Sequence, residues 1–593
     1  MAFKKNIALL VFLLNSTVLI SQDIQPITTI EIGKSYEPAQ KQIAKGKNGM
    51  VSTQHYLATK VGEEILNLGG NAYDASVAVS FALAVVLPRA GNIGGGGFMV
   101  LYDSQNSKSY SLDYREKAPS KASRDMYLQK DGLYDRKKAT RGYLASGVPG
   151  TVAGLWEVHK KFGSMPWNDL IQPAIKLAEN GFRISPYMAE MLLRNNKKLS
   201  EFESSKVIFQ SFYPKFENNL LIQKDLAQTL KLIANEGKDA FYRGSIAKKI
   251  SMDMKANGGI ISMDDLKNYS PIWREPLKQK YRDVEIFTMG PPSSGGVHVI
   301  QMLNVLKQSN LNELGHNSSK YINLLAEVMK FAYADRSKYL GDSDFYDVPI
   351  EMLTSDSYAK RINQKISLGS SLKSEDIFPG MFAKNESFET THFSVVDKNL
   401  NVVSSTTTLN SSFGSGVVIK GTGILMNNEM DDFSSAPGVP NIYGLLGSEA
   451  NEIAPNKRPL SSMTPTIVLK NDSLFFTTGS PGGSRIISAV LQSILNIVDF
   501  GMNLEEATSA TRVHHQWQPD ILEIEHAFKL DDIDESHKLK SGTINELLSY
   551  KYRIKSMPPV TNIQTIMYEN NIFYGYGDYR RPDSLASGNI YDR

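Results

Sequence analysis

The 593-residue chain contains no cysteine. That excludes disulfides, thiolate metal ligands, a cysteine nucleophile and the acylated cysteine of a lipoprotein. Net charge is also scarce, at +3, so nothing in the charge balance calls for nucleic acid or another polyanion as partner. Beyond the first residues no apolar run reaches the roughly 18 residues that a bilayer span needs. No serine lies in G-x-S-x-G, which removes a nucleophile elbow. There is no G-x-x-x-x-G-K-[ST], and "GNIGGGGF" at 91–98 does not fit G-x-G-x-x-G, so a phosphate-cradling loop has no support. The nine histidines include no H-E-x-x-H, and the adjacent His514 and His515 would point to different faces. A serine hydrolase or a zinc enzyme has nothing here to stand on.

What is present begins with the N-terminus. "MAFKKNIALLVFLLNSTVLISQD" places Lys4 and Lys5 before an apolar run from Ile7 to Leu13, continued by Val18–Ile20, and then Gln22-Asp23. That is the layout of a secretory signal peptide over residues 1–22. A membrane anchor is the other reading, but Asn15, Ser16 and Thr17 interrupt the run and it is short for a span. The expectation is a periplasmic or secreted protein with no membrane association after signal removal. The chain as a whole, 41% hydrophobic and 21% charged, is ordinary globular composition.

Residues 52–87 read as two helices, the first stopping at Gly69-Gly70 and the second, apolar on nearly every face, at Pro88. A hairpin follows from "FMVLYD" to "SYSLDYRE". Residues 150–360 read as mostly helical, with apolar residues at three- and four-residue spacing. The stretch 369–389 is polar and contains Pro379-Gly380, the signature of an exposed loop. From residue 390 the texture changes to strands: "HFSVVD", "NVVSSTTTLN", "GILMNN", and hairpins turning at Asn471-Asp472 and within "TIMYENNIFYGYGD". Helices and hairpins in both halves predict stacked antiparallel sheets covered by helices on each outer face.

The abrupt start of a strand at Thr390 carries a chemical implication. A mid-chain threonine hydroxyl stays protonated near neutral pH and needs a base beside it. A threonine supplies its own base only when its α-amine is free, with a pKa near ~7.7–8. A nucleophilic Thr390 therefore requires backbone scission between Glu389 and Thr390. Polar clusters gather further on: "TTTLNSSFGSG" at 406–416, "NNEMDDF" at 427–433, "RPLSSM" at 458–463 and "GSPGGSR" at 479–485. Together they suit an amino-acid-like ligand with an ammonium and a carboxylate to hold.

Those motifs, with "ETTHFSVVD" and "PNKRPLSSMTPTIV", closely resemble the small subunit of γ-glutamyltransferases (γ-glutamyltranspeptidases). "GGNAYDASVAVSFALAV", "GNIGGGGFM", "DYREKAP" and "ASGVPGTVAG" resemble the large subunit, and the match runs in order from about residue 47 to the C-terminus. The resemblance implies the αββα sandwich of N-terminal nucleophile hydrolases, made as one precursor. It implies a large subunit 23–389 and a small catalytic subunit 390–593, forming one intertwined heterodimeric domain after autocleavage through Glu389, Thr390 and Thr391. By the same resemblance Thr390 is the nucleophile, Thr408 orients it, and Thr391 supports the new N-terminus. The Gly482 and Gly483 amides form the oxyanion hole. Arg115, Ser461 and Ser462 hold the substrate α-carboxylate; Asn410, Glu429 and Asp432 hold the α-ammonium; Tyr443 closes a lid. Position 429 is Glu where some members have Gln, and both accept hydrogen bonds. The implied reaction takes the γ-glutamyl group of glutathione or a γ-glutamyl amide and passes it to water, an amino acid or a dipeptide, with no metal or organic cofactor. "GNIGGGGF" is expected to pack between layers rather than bind a ligand. Two alternatives remain: a cephalosporin or glutaryl acylase of the same fold, and a cleaved but inactive γ-glutamyl-peptide binding protein.

Overall fold

The computed structural model describes residues 43–210, 220–377, 390–434, 447–525, 539 and 541–589. Local chemistry sets the element ends. Asn71 opens the helix Ala72–Val86 by accepting from the Tyr73 and Asp74 amides, while Asp74 accepts from the Asn71 amide; this reciprocal cap satisfies donors that the first turn leaves over. Every residue of that helix is buried, as its all-round apolar sequence predicts. Asn471-Asp472 and Asn570-Asn571 have φ of 51° and 59°, and 52° and 61°. Such paired left-handed residues make the two-residue turns whose twist suits antiparallel strands.

Two seven-stranded sheets form the middle of the molecule. The first runs across Leu585–Ser587, Gly49–Thr53, Thr390–Asp397, Val402–Thr408, Gly96–Asp103, Lys108–Asp113 and Ile272–Arg274. The second runs across Ala44–Gly46, Ile572–Gly577, Gln564–Glu569, Ser473–Thr478, Thr466–Lys470, Val284–Thr288 and Leu277–Tyr281. All neighbours within them are antiparallel. Strand Thr390–Asp397 shows why the layers stack. Phe393 and Val395 join the apolar layer beneath the helices Tyr56–Asn67 and Ala72–Val86. The alternate residues face the other sheet: Ser394 donates to the Gln564 carbonyl at 3.1 Å, and Val396 packs with Ile566 and Phe476 in one core. Helices Gly295–Leu306, Ser319–Tyr339 and Arg485–Val498 cover the second sheet. The expected four-layer αββα sandwich is what the chain forms, and each sheet takes strands from both sides of residue 389.

Several local expectations are corrected. The span 150–360 holds three strands between Ile272 and Thr288; in "LKQKY" burial alternates residue by residue, and a tight turn at Arg282 (φ 53°) returns the chain at once. "GILMNN" is no strand; it contributes isolated bridges, Val418 with Leu425 and Gly94 with Met426. The first helix begins at Tyr56, because Gly49–Thr53 pairs into the first sheet. Within the loop 369–389, Ser374–Ile377 is a short helix. Residues 378–389, the signal segment and Tyr443 lie outside the described residues.

Burial of histidine gives the fold a pH signature. Burial pushes His55, His298 and His392 each down to about 3, with Arg89 adding to the effect on His55 and Arg336 to that on His298. Below the ordinary value of 6.5 the unfolded chain takes up protons that the folded chain refuses, so stability is lost as pH falls from there towards 3. The urea unfolding midpoint is expected to drop between pH 7 and pH 5, each such histidine contributing a slope of up to ~1.4 kcal/mol per pH unit. His392→Gln should flatten the slope by about one proton's worth; a midpoint constant over that range would refute this account.

Candidate active site

Thr390 is the first residue of its strand and is 4% exposed. Antiparallel register sets it opposite Thr408, the last residue of the next strand, and the two hydroxyl oxygens stand 3.3 Å apart. Thr408 in turn lies opposite Gly96. The glycine run is needed there, since a Cβ on Gly95 would sit 2.1 Å from the Thr408 carbonyl oxygen. The close approach is to the neighbouring strand of the same sheet, whereas the sequence predicts that "GNIGGGGF" packs between layers. The Thr391 hydroxyl oxygen is buried and has no hydrogen-bond partner among the described residues.

After Thr408 the chain turns sharply at Asn410, whose φ of 73° is left-handed, a conformation asparagine tolerates. The Asn410 amide donates to Thr408 Oγ1 at 2.8 Å, and its side chain donates to the Asn428 carbonyl at 2.9 Å. Asn427 fixes the neighbouring turn by donating to the Gly94 and Gly147 carbonyls, both at 2.8 Å. Lys198, from the helix Pro186–Leu199, holds the following loop by donating to the carbonyls of Ser412 and Gly414. Burial, reinforced by Arg141, pushes its ammonium down to about 7.

The turn Glu429–Asp432 brings two carboxylates onto Arg115. Arg115 Nη2 donates to Asp432 Oδ2 at 2.5 Å, and Nη1 lies 2.8 Å from Glu429 Oε2. Glu116 Oε2 is 3.4 Å from the same Nη1. Three carboxyl groups thus crowd one buried guanidinium. Burial opposes the Arg115 charge, but Glu429, Glu116 and Asp432 outweigh it and raise its pKa. Burial raises Glu116 to about 7 and Glu429 well above the usual carboxylate range, against the pull of Arg115. This end of the site carries an excess of acid and favours a cation.

The tandem serines close the other side. Ser461 donates its amide to the Pro292 carbonyl at 2.9 Å, and Ser294 donates its amide to the Ser461 carbonyl at 2.8 Å. Asn451 ties this wall to the acidic one, donating to the Asp432 carbonyl at 2.7 Å and accepting from the Leu460 amide at 3.0 Å. Gly482 and Gly483 follow the strand Ser473–Thr478 with φ of 136° and 56°, values that glycine adopts without strain; neither amide has an acceptor among the described residues. Thr390, Thr408, Asn410, Asp432, Arg115, Ser461, Ser462 and Gly483 line one cavity. Glu429 reaches it through Arg115, and Gly482 stands next to its wall. Glu389 and Tyr443 fall outside the described residues.

One lining residue was not anticipated. Arg336 comes from the helix Ser319–Tyr339 and reaches the same cavity. A signal existed: Leu325, Met329 and Ala332 are all buried, and the same helical face continues to position 336. A charge on that apolar stripe marks a buried polar site. Among the described residues no group of three or more His, Cys, Asp or Glu side chains is placed to hold a metal, and no helix is long and apolar enough to cross a membrane.

Comparison with known proteins places this site in context. The family described as gamma-glutamyltranspeptidase matches residues 58–588. The glutathione hydrolase proenzyme of Escherichia coli (strain K12) is 46% identical over 547 residues, covering 92% of each chain. A crystal structure of Helicobacter pylori gamma-glutamyltranspeptidase is 46% identical with a TM-score of 0.54, covering 58% of this chain and 97% of that one. A cephalosporin acylase structure from Bacillus halodurans matches at 25% identity with a TM-score of 0.80, covering 94% of this chain and 99% of that one.

Proposed function

The chain belongs to the γ-glutamyltranspeptidase family, and we propose that Thr390 carries its chemistry. It is a glutathione hydrolase and γ-glutamyltransferase, acting on glutathione and other γ-glutamyl compounds. The observation that carries our reading is the single cavity in which a strand-head threonine, paired with Thr408, faces both an acidic wall and a hydroxyl wall.

In this reading Thr390 Oγ1 first attacks the Glu389 carbonyl. The C–N bond breaks, an ester forms, and the hydroxyl proton leaves on the new amine. Water hydrolyses the ester, giving the Glu389 carboxylate and a Thr390 with free amine and hydroxyl. Strands from both sides of residue 389 share both sheets, which supports large and small subunits 23–389 and 390–593 remaining together as a heterodimer. The freed amine then takes the hydroxyl proton as Oγ1 attacks the γ-carbonyl of the donor. The amides of Gly482 and Gly483 meet the developing oxyanion, and the leaving amine departs with the proton. Water, an amino acid or a dipeptide takes the γ-glutamyl group from the ester.

The donor is an α-amino acid, and the cavity is polarised to match. Asp432, Glu429 and the Asn410 oxygen receive the ammonium, which can only donate. Ser461 and Ser462, with Arg115, receive the carboxylate. The likeness to a cephalosporin acylase gives the rival reading, but a glutaryl donor lacks the α-amine and offers the acidic wall no ammonium to meet. The leader-like residues 1–22 support export to the periplasm or beyond.

The test is turnover by purified protein of the p-nitroanilides of γ-glutamate and of glutaric acid, with N-terminal sequencing of the smaller chain. We expect release from the γ-glutamyl compound, and a chain beginning Thr-Thr-His-Phe. Release from the glutaryl compound alone would support the acylase; binding without release would support an inactive receptor.

A further inference from the structure

We propose that Arg336 is a positioning residue for donor selection, setting both serines of the hydroxyl wall to receive the α-carboxylate. The inference rests on the reading that Ser461 and Ser462 meet that carboxylate. Arg336 Nη2 donates to Ser462 Oγ at 3.2 Å, and its Nε donates to Ser294 Oγ at 2.9 Å. Ser294 passes the constraint on, its hydroxyl donating to the Ser461 carbonyl at 2.8 Å. One guanidinium therefore braces both serines, one directly and one through Ser294.

Proton counting gives the brace its direction. A serine hydroxyl has one proton and two acceptor lone pairs. Ser462 Oγ accepts from Arg336, and Ser461 Oγ accepts from the Met463 amide at 3.1 Å. Among the described residues neither hydroxyl donates to an acceptor, so both protons remain for a group in the cavity. That group must be an acceptor, and an anion is best. Charge points the same way. Arg115, which shares in receiving the carboxylate, already has Asp432 and Glu429 beside it, whereas no carboxylate among the described residues lies within ion-pair distance of Arg336. Arg336 is 4% exposed; burial, with Arg115 nearby, pushes it down to about 10 although Tyr333 and Asp432 favour its charge. A buried cation without a paired carboxylate is costly, and a substrate carboxylate beside Ser462 supplies the missing charge. Asp432 and Arg336 both line the cavity, so an acid and a cation without a paired carboxylate face the same space. Because Arg336 precedes residue 389 and the serines follow it, the proposed large subunit would tune a pocket of the small one.

The test compares two donors on cleaved enzyme: γ-glutamyl-p-nitroanilide, and 4-aminobutyryl-p-nitroanilide, which differs only in lacking the α-carboxylate. Arg336→Gln is expected to raise KM for the γ-glutamyl donor by at least ~10-fold, the scale of one charge-assisted hydrogen bond, with a smaller change in kcat. Arg336→Lys should recover part of this loss. Turnover of the 4-aminobutyryl donor should change little in either. In a Ser462→Ala background the Arg336 substitution should add less than ~3-fold, because the two residues act as one unit. Equal losses for both donors, or no loss with the γ-glutamyl donor, would overturn the proposal. Should Arg336→Gln fail to fold, Arg336→Lys, which keeps charge but cannot span both serines, is judged by the same comparison. If instead wild-type enzyme uses both donors equally well, the serines read no carboxylate, and the underlying assignment falls independently of Arg336.

Discussion

Thr390→Ala is expected to remain a single chain on a denaturing gel and to release no detectable product from a γ-glutamyl anilide. One atom is responsible for both outcomes. In the proposed mechanism the hydroxyl opens the Glu389 peptide bond in the precursor, and the same hydroxyl attacks the donor once the chain is open. Loss of a hydroxyl nucleophile costs ~10⁴-fold or more even where binding and the oxyanion hole are intact. The fold should tolerate the change, since Thr390 pairs through its backbone with Thr408 and loses only a 3.3 Å hydroxyl contact. Circular dichroism should therefore match wild type. Thr390→Ser restores a hydroxyl at the same place and should recover scission and part of the turnover. An uncut Thr390→Ala protein with activity would refute the mechanism, because its α-amine would still be an amide and no base would be present.

Much of this arrangement was legible from sequence, for identifiable reasons. A strand had to begin near Thr390, because β-branched and aromatic residues follow a polar, proline-containing stretch. The hairpin turns were legible because Asn and Asp adopt left-handed conformations cheaply. The three strands between Ile272 and Thr288 were hidden inside a helical region: they are only three to five residues long, too short to show a period against helices on both sides. The pairing of Arg115 with Asp432, 317 positions apart, had no local signal either. Asp432 stood in a polar cluster and Arg115 in a motif read only through the resemblance, and the two meet because the strands before them lie in one sheet. Arg336 was missed for a related cause. Its helix is buried over nearly its whole length, so the apolar pattern masked a cation that lines the cavity along with Arg115.

The charge arrangement supplies the sharpest test of donor identity. Asp432 is the acid closest to Arg115 and lines the cavity beside Thr390. In the proposed reading a substrate ammonium forms a charge-assisted hydrogen bond there, and removing one partner of such a pair costs ~2–5 kcal/mol. At 1.4 kcal/mol per tenfold, that is a loss of roughly 30-fold to several thousand-fold. Asp432→Ala is accordingly expected to lower kcat/KM for a γ-glutamyl anilide by at least ~30-fold. A glutaryl anilide, identical but for the missing amine, has no ammonium to lose and should be affected far less. Arg115 complicates the variant, since it loses one of its two closest carboxylates, but Glu429 at 2.8 Å still holds it. Asp432→Asn separates the two effects: it keeps an acceptor for the ammonium and for Arg115 while removing the charge, and should fall between wild type and Asp432→Ala. Scission at residue 389 should persist in both variants, as no substrate ammonium takes part in it. If a fully cleaved Asp432→Ala enzyme lost both substrates equally, Asp432 would serve the fold or the reacting centre, and the ammonium would have to be read elsewhere on the acidic wall.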